Sequence, residues 1–173
     1  MKIKSSIAVI MFFALSGCFA QAGKEFKSGH VFYITLPDYM SKTSGLNSSA
    51  IIQFKSNIKN VFGIVIEDVK EDLVLAELNY TSINEFAQGF VDDLIEGEEK
   101  PKVSKPVYQK KGGLNFVEYD VTLFDKELNE EIYYLVAVAE TNEVYYKFLL
   151  WSGSKEKDKF KADFQKIIYS IRQ

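Results

Sequence analysis

Hydrophobic and polar positions alternate with a period of two along most of this chain, and the period lengthens to about 3.6 at two places. From His30 to Leu36, Phe32, Ile34 and Leu36 fall on one side and Val31, Tyr33 and Thr35 on the other, which predicts a strand ended by Pro37. Asp38 to Ser49 is a Ser/Gly/Asn-rich loop. The β-branched runs Ala50 to Phe54 and Val61 to Val69 read as a hairpin around Lys55-Ser56-Asn57. Further on, Val103 to Gln109 is interrupted by Pro106 and suits an edge strand or a strand with a bend. Leu114 to Phe124, Glu131 to Glu140 and Val144 to Trp151 are three more strands, with turns at Lys110-Lys111-Gly112-Gly113 and Thr141-Asn142.

The first change of period follows Ser82. Ser82 and Glu85 have the S-x-x-E spacing of a capping box, which satisfies the orphan amides of a helix start. Ile83, Phe86, Ala87, Phe90, Val91, Leu94 and Ile95 then form one continuous stripe, stopped at Gly97. The second stripe is Phe160, Phe164, Ile167, Ile168 and Ile171, after Ser152-Gly153-Ser154. Lysines crowd its first turn and oppose the helix dipole there. The order predicts an α+β fold, an antiparallel sheet of about six to seven strands with two amphipathic helices packed on it.

The N-terminus has a different character. Lys2 and Lys4 precede nine apolar residues, Ile7 to Leu15, as in the n- and h-regions of a secretory signal peptide. The run is about half of the roughly 20 residues that a membrane span needs. Leu15-Ser16-Gly17-Cys18 follows directly and resembles a bacterial lipoprotein signal, in which the Cys is lipidated and becomes the mature N-terminus. The rival is Ala20-Gln21-Ala22, an A-x-A site for ordinary signal peptidase. On the first reading residues 1–18 are a signal peptide, 19–29 a tether and 30–173 a single domain. The protein would then be held in the periplasm or outer envelope by lipid on Cys18; the rival makes it soluble periplasmic or secreted.

Composition narrows the chemistry. The 173 residues contain one Cys and one His, too few for an internal disulfide or a zinc site of the usual kind. Net charge is −3, and removal of 1–18 takes away two lysines and no acid, giving −5. An acidic body without a basic run is not expected to bind nucleic acid, and no cofactor or metal is expected. There is no P-loop, G-x-G-x-x-G or H-E-x-x-H. A His-activated nucleophile would have to use His30, which reads instead as an exposed position at the start of a strand. Asp92, Asp93, Glu96, Glu98 and Glu99 suit a solvated helix face better than a calcium site, because they lack the spacing of a calcium loop. The sequons at Asn47 and Asn79 read as chance.

Glu118 and Asp120 are harder to set aside. They share one strand face with Phe116, Thr122 and Phe124, and successive same-face residues on a strand lie about 6.8 Å apart. An inverting glycosidase wants its two carboxyls roughly 6.5–9.5 Å apart. With Ala137 and Ala139, and then Tyr145, Lys147 and Trp151, assigned to the same face, the alternatives are a solvated sheet face, a docking surface or a small hydrolase site.

The chain also resembles the PsbP-like family, in particular its bacterial DcrB-type lipoprotein branch. Phe32-x-Ile34-x-Leu36-Pro37-x-x-Met40, with Tyr39, is similar to that family's first strand and Pro turn. The helix 83–95, the Gly112-Gly113 turn, the Tyr145-Tyr146-Lys147 strand and the closing Phe164-x-x-Ile167-x-x-Ser170 follow in the family's order. The resemblance implies an α/β/α sandwich and a non-catalytic binding or assembly role in the cell envelope, with a possible envelope protein partner. It carries over no functional residue. The other expectations are the hydrolase using Glu118 and Asp120, and a carrier holding an apolar ligand between sheet and helix.

Overall fold

The structure, a computed structural model, describes residues 23–28 and 32–172. Cys18, the Ala20-Gln21-Ala22 site and His30 lie outside the described residues. Strands β1 (Gly23–Ser28) and β2 (Phe32–Pro37) pair as a two-stranded ribbon. The main sheet is antiparallel and eight-stranded. Its strands are β3 (Ser41–Thr43), β4 (Ile52–Ser56), β5 (Val61–Val69), β6 (Lys102–Val103), β7 (Val107–Lys111), β8 (Leu114–Asp125), β9 (Glu130–Glu140) and β10 (Val144–Gly153). They run in the order β3-β4-β5-β10-β9-β8-β6, with β7 also paired to β8. Helices α1 (Lys70–Leu75), α2 (Ile83–Ile95) and α3 (Lys157–Ile168) complete the α+β fold. Among the described residues no helix is long and apolar enough to cross a membrane.

Three observations differ from the sequence reading. Gly23–Ser28, expected within a tether, forms β1. The strand expected at 30–36 joins β1 in the ribbon rather than the main sheet. The reason is the last turn of the chain: Tyr33 N–H donates to Arg172 O (2.8 Å), Arg172 N–H to Tyr33 O (3.1 Å), and Thr35 N–H to Ser170 Oγ (2.7 Å). These bonds pin β2 beside the end of α3. Helix α1 was not anticipated, since its six residues carry no buried side chain and thus no stripe.

Apolar side chains pack on both faces of the sheet. On one, α3 and β2 bring Phe160, Phe164, Ile167, Ile168, Phe32, Ile34 and Leu36 against Tyr133, Tyr146, Phe148 and Leu150. On the other, Phe86, Ala87 and Val91 of α2 pack on Val117, Tyr119, Val121, Val136 and Val138. The capping box holds, with Ser82 Oγ accepting from Glu85 N–H (3.3 Å). The Glu85 carboxylate reaches one residue further back than expected, to Thr81 N–H (2.7 Å). Pro106 splits its region into β6 and β7, as expected of an edge. Gly112 and Gly113, at φ +58° and +84°, make the two-residue turn between β7 and β8 that left-handed backbone allows.

One glycine is required by packing. A Cβ at Gly63 would lie 2.2 Å and 2.6 Å from atoms of the Phe54 ring, which is fully buried opposite it. Gly63→Ala should cost about 1–3 kcal/mol through overpacking. Phe164→Ala should cost about 3–5 kcal/mol, because Phe164 is fully buried at the centre of its core. Urea unfolding of both variants checks the two figures.

Candidate functional site

Strand register decides which candidate residues meet. Glu118 pairs with Ala137, which pairs with Phe148; Asp120 pairs with Leu135, which pairs with Leu150. Val117, Val138 and Lys147 form the adjacent row, and Val121, Tyr134, Trp151 and Phe62 another. Side chains in register share a face. Glu118 and Asp120 therefore face α3 together with Ala137 and Ala139, whereas Tyr145, Lys147 and Trp151 face α2. The five residues expected to form one binding face lie on opposite sides of the sheet. The physical reason is parity. Glu140 opposes Tyr145 across the turn, so odd positions of β9 pair with even positions of β10.

Neither carboxylate is free. Glu118 is only 3% exposed and accepts from Gln165 Nε2 and from the Tyr169 hydroxyl, both at 2.7 Å. Asp120 accepts from the Tyr133 hydroxyl (2.7 Å), Lys157 Nζ (3.0 Å) and Lys161 Nζ (2.7 Å). Burial raises the Asp120 carboxyl, but hydrogen bonds from Lys161, Tyr133 and Lys157 outweigh it and hold it below the ordinary carboxylate range. Burial first, then the bond to Asp120, pushes the Tyr133 phenol up; burial and Glu118 do the same to Tyr169. The expected open sheet face lies beneath α3. Open clefts of about 380, 410, 420 and 310 Å³ are lined by neither acid. Among the described residues no three His, Cys, Asp or Glu side chains gather as metal ligands.

The residues that the sequence reading passed over are the donors. Lys157, Lys161, Gln165 and Tyr169 recur every four positions, a polar stripe beside the apolar stripe of α3. That spacing is the signal that could have placed α3 over β8. Lys157 and Lys161 pair with Asp120, an ion pairing the sequence reading of the helix start did not include.

On the α2 face the three remaining candidates have different fates. Tyr145 is buried, stacked on Phe86 with centroids 4.1 Å apart. Lys147 pairs with Asp68 (2.6 Å) and lies over the Phe90 ring at 5.3 Å. Trp151 is half-buried and stands between two rings, Phe62 at 5.3 Å and Tyr134 at 6.2 Å. Phe62, Trp151 and Tyr134 make a half-buried aromatic row across β5, β10 and β9. Phe62 and Tyr134 could be joined to Trp151 only through the register.

With this geometry the chain has a PsbP-like fold. The solution structure of cyanobacterial PsbP (CyanoP) from Synechocystis sp. PCC 6803 is similar to it with a TM-score of 0.61 and 18% identity, over 90% of this chain and 95% of that one. LpqN of Mycobacterium tuberculosis, described as involved in cell envelope biogenesis, is similar with a TM-score of 0.58 and 8% identity, over 87% and 89%. A protein of unknown function, PA94 of Pseudomonas aeruginosa, has a TM-score of 0.53 and 8% identity, over 87% and 96%. No family model matches the chain, and no curated protein does.

A carboxyl whose folded pKa lies below its unfolded value, about 3.9, stabilises the fold above that value and loses the contribution as pH falls through the folded one. Asp120→Asn should therefore cost about 1.5–3 kcal/mol at neutral pH, the range for hydrogen bonds to a charged group. It should also flatten the loss of stability below about pH 4. Urea titrations across the acid range read both effects.

Proposed function

We propose that the protein is an exported, lipid-anchored module of the cell envelope that works by binding a protein partner, within the DcrB-type branch of the PsbP-like family. The observation that carries this reading is the contrast between its polar and aromatic candidates. Glu118 and Asp120 have their hydrogen-bonding capacity taken up by five internal donors under α3, while the Phe62–Trp151–Tyr134 row is half-buried at the surface. A catalytic carboxylate needs access to substrate; Glu118 is buried, and Asp120, partly exposed, is held by three donors. Aromatic side chains dominate interface energetics, and Trp151 is well placed to anchor a partner. Among the described residues, apolar side chains of the sheet pack directly against those of α2 and α3, which speaks for a core rather than a carrier's cavity.

The envelope assignment is supported by the apolar run Ile7 to Leu15 followed by Leu15-Ser16-Gly17-Cys18. It is also in keeping with the envelope role of LpqN, whose fold is similar. Lipid on Cys18 would be the membrane contact.

Two measurements test the proposal. Cys18→Ala should move the protein from the membrane to the soluble fraction; a wild-type protein that is already soluble and begins at Gly23 would favour the Ala20-Gln21-Ala22 site. Trp151→Ala should lose a partner crosslinked by the wild type in native envelopes, with unfolding still cooperative. Glycoside or ester turnover that vanishes in Glu118→Gln would favour the hydrolase instead.

A further inference from the structure

One end of the sheet carries both the start of β1 and the most exposed apolar side chain among the described residues. Gly23 pairs with Pro37, and two residues beyond Pro37 the Tyr39 ring lies under Lys59 Nζ at 3.5 Å. Lys59 belongs to the turn between β4 and β5, which Ser56 and Val61 close. At the tip of that turn Ile58 is 98% exposed. The β8–β9 turn, closed by Asp125 and Glu130, leaves the sheet at the same end, as the Phe62–Trp151–Tyr134 register requires. It presents Leu128, 63% exposed. Helix α1, with Leu75 76% exposed, lies at the opposite end, where β5 passes Val144.

The length of chain before β1 ties this end to the membrane. Had residues 19–29 all been tether, Cys18 and His30 would have been separable by about 40 Å and the body could turn freely. Because β1 begins at Gly23, the span from Cys18 is at most about 18 Å. The bonds between β2 and the 170–172 segment keep the ribbon from swinging away from α3.

We infer that the anchored protein rests on the bilayer by this end, with Ile58 and Leu128 entering the interfacial layer and α1 directed away from it. The inference rests on lipidation of Cys18. A scattered exposed Ile is ordinary on a soluble surface; its place beside the anchored end is what distinguishes this one. Two apolar tips do not hold a protein on a membrane unaided. They need only orient a body that the lipid already keeps at high local concentration beside the surface.

Cys18 is the chain's one cysteine, and lipidation occupies its sulfur, so Ile58→Cys, Leu128→Cys and Leu75→Cys each add a single labelling site. Each purified lipoprotein is labelled with the environment-sensitive dye NBD. It is then reconstituted in phosphatidylethanolamine–phosphatidylglycerol vesicles with and without a doxyl-labelled lipid quencher. Dye at 58 and 128 should shift to the blue and lose intensity to the lipid quencher, and dye at 75 should do neither. Mass analysis of the N-terminal peptide reads lipidation separately. Lipidated protein whose dye at 58 is as aqueous as that at 75 overturns the orientation and leaves the anchor standing. A blue shift at 58 without lipid quenching means that protein covers this end, and also overturns it. An unlipidated Cys18 overturns the anchor and the orientation together.

Discussion

The short connection from β9 to β10 constrains more of this molecule than its size suggests. Thr141 Oγ1 accepts from the amides of Glu143 (3.2 Å) and Val144 (2.9 Å), which closes the turn with Glu140 opposite Tyr145. Side chains alternate along a strand, so a connection one residue longer or shorter would turn β10 over. Lys147 would then enter the apolar layer beneath α3, while Tyr146 and Phe148 would leave it. Because an apolar layer packs on each side of the sheet, neither layer tolerates the exchange. The turn thus decides where each candidate residue of β10 lies.

The α3 face shows how a sheet can bury carboxylates. Glu118 lies almost wholly out of water and Asp120 largely so, a costly placement unless each is supplied with donors. Helix α3 and the following residue supply Lys157, Lys161, Gln165 and Tyr169, and β9 adds Tyr133. A partly buried ionic network of this kind is weak evidence for stability, since an apolar replacement of the whole set can be as stable. What it does impose is position: the helix has one rotational setting in which all the donors reach their acceptors. The feature that resembles an acid pair on paper is the means by which α3 is aligned.

Helix α2 packs on β8 and β9, which leaves a gap over β5 and β10 where Phe62, Ile66, Leu149 and Trp151 are half-buried. The aromatic row fills that gap on three neighbouring strands. The two ends of the sheet differ, one bearing the start of β1 and the other α1. Structures at 8% identity share the scaffold, so the fold is compatible with very different sequences.

Much of the fold was legible in the residues. Periodicity marked α2 with its Ser82 cap, the long strands β8 to β10 and the turn at Gly112-Gly113, because each of these is dictated by neighbours close in sequence. The apolar stripe of α3 was equally plain, although Ile171 packs in the core from beyond the helix end. Strand β1 was not legible, since its pairing with β2 depends on the last residues of the chain holding β2 in place. Nor was the separation of Glu118 and Asp120 from Tyr145, Lys147 and Trp151. Alternation along one strand names two faces but not which face of the next strand joins them. That choice belongs to the register across turns and to the helix that packs over it, and both are settled only when the chain closes on itself.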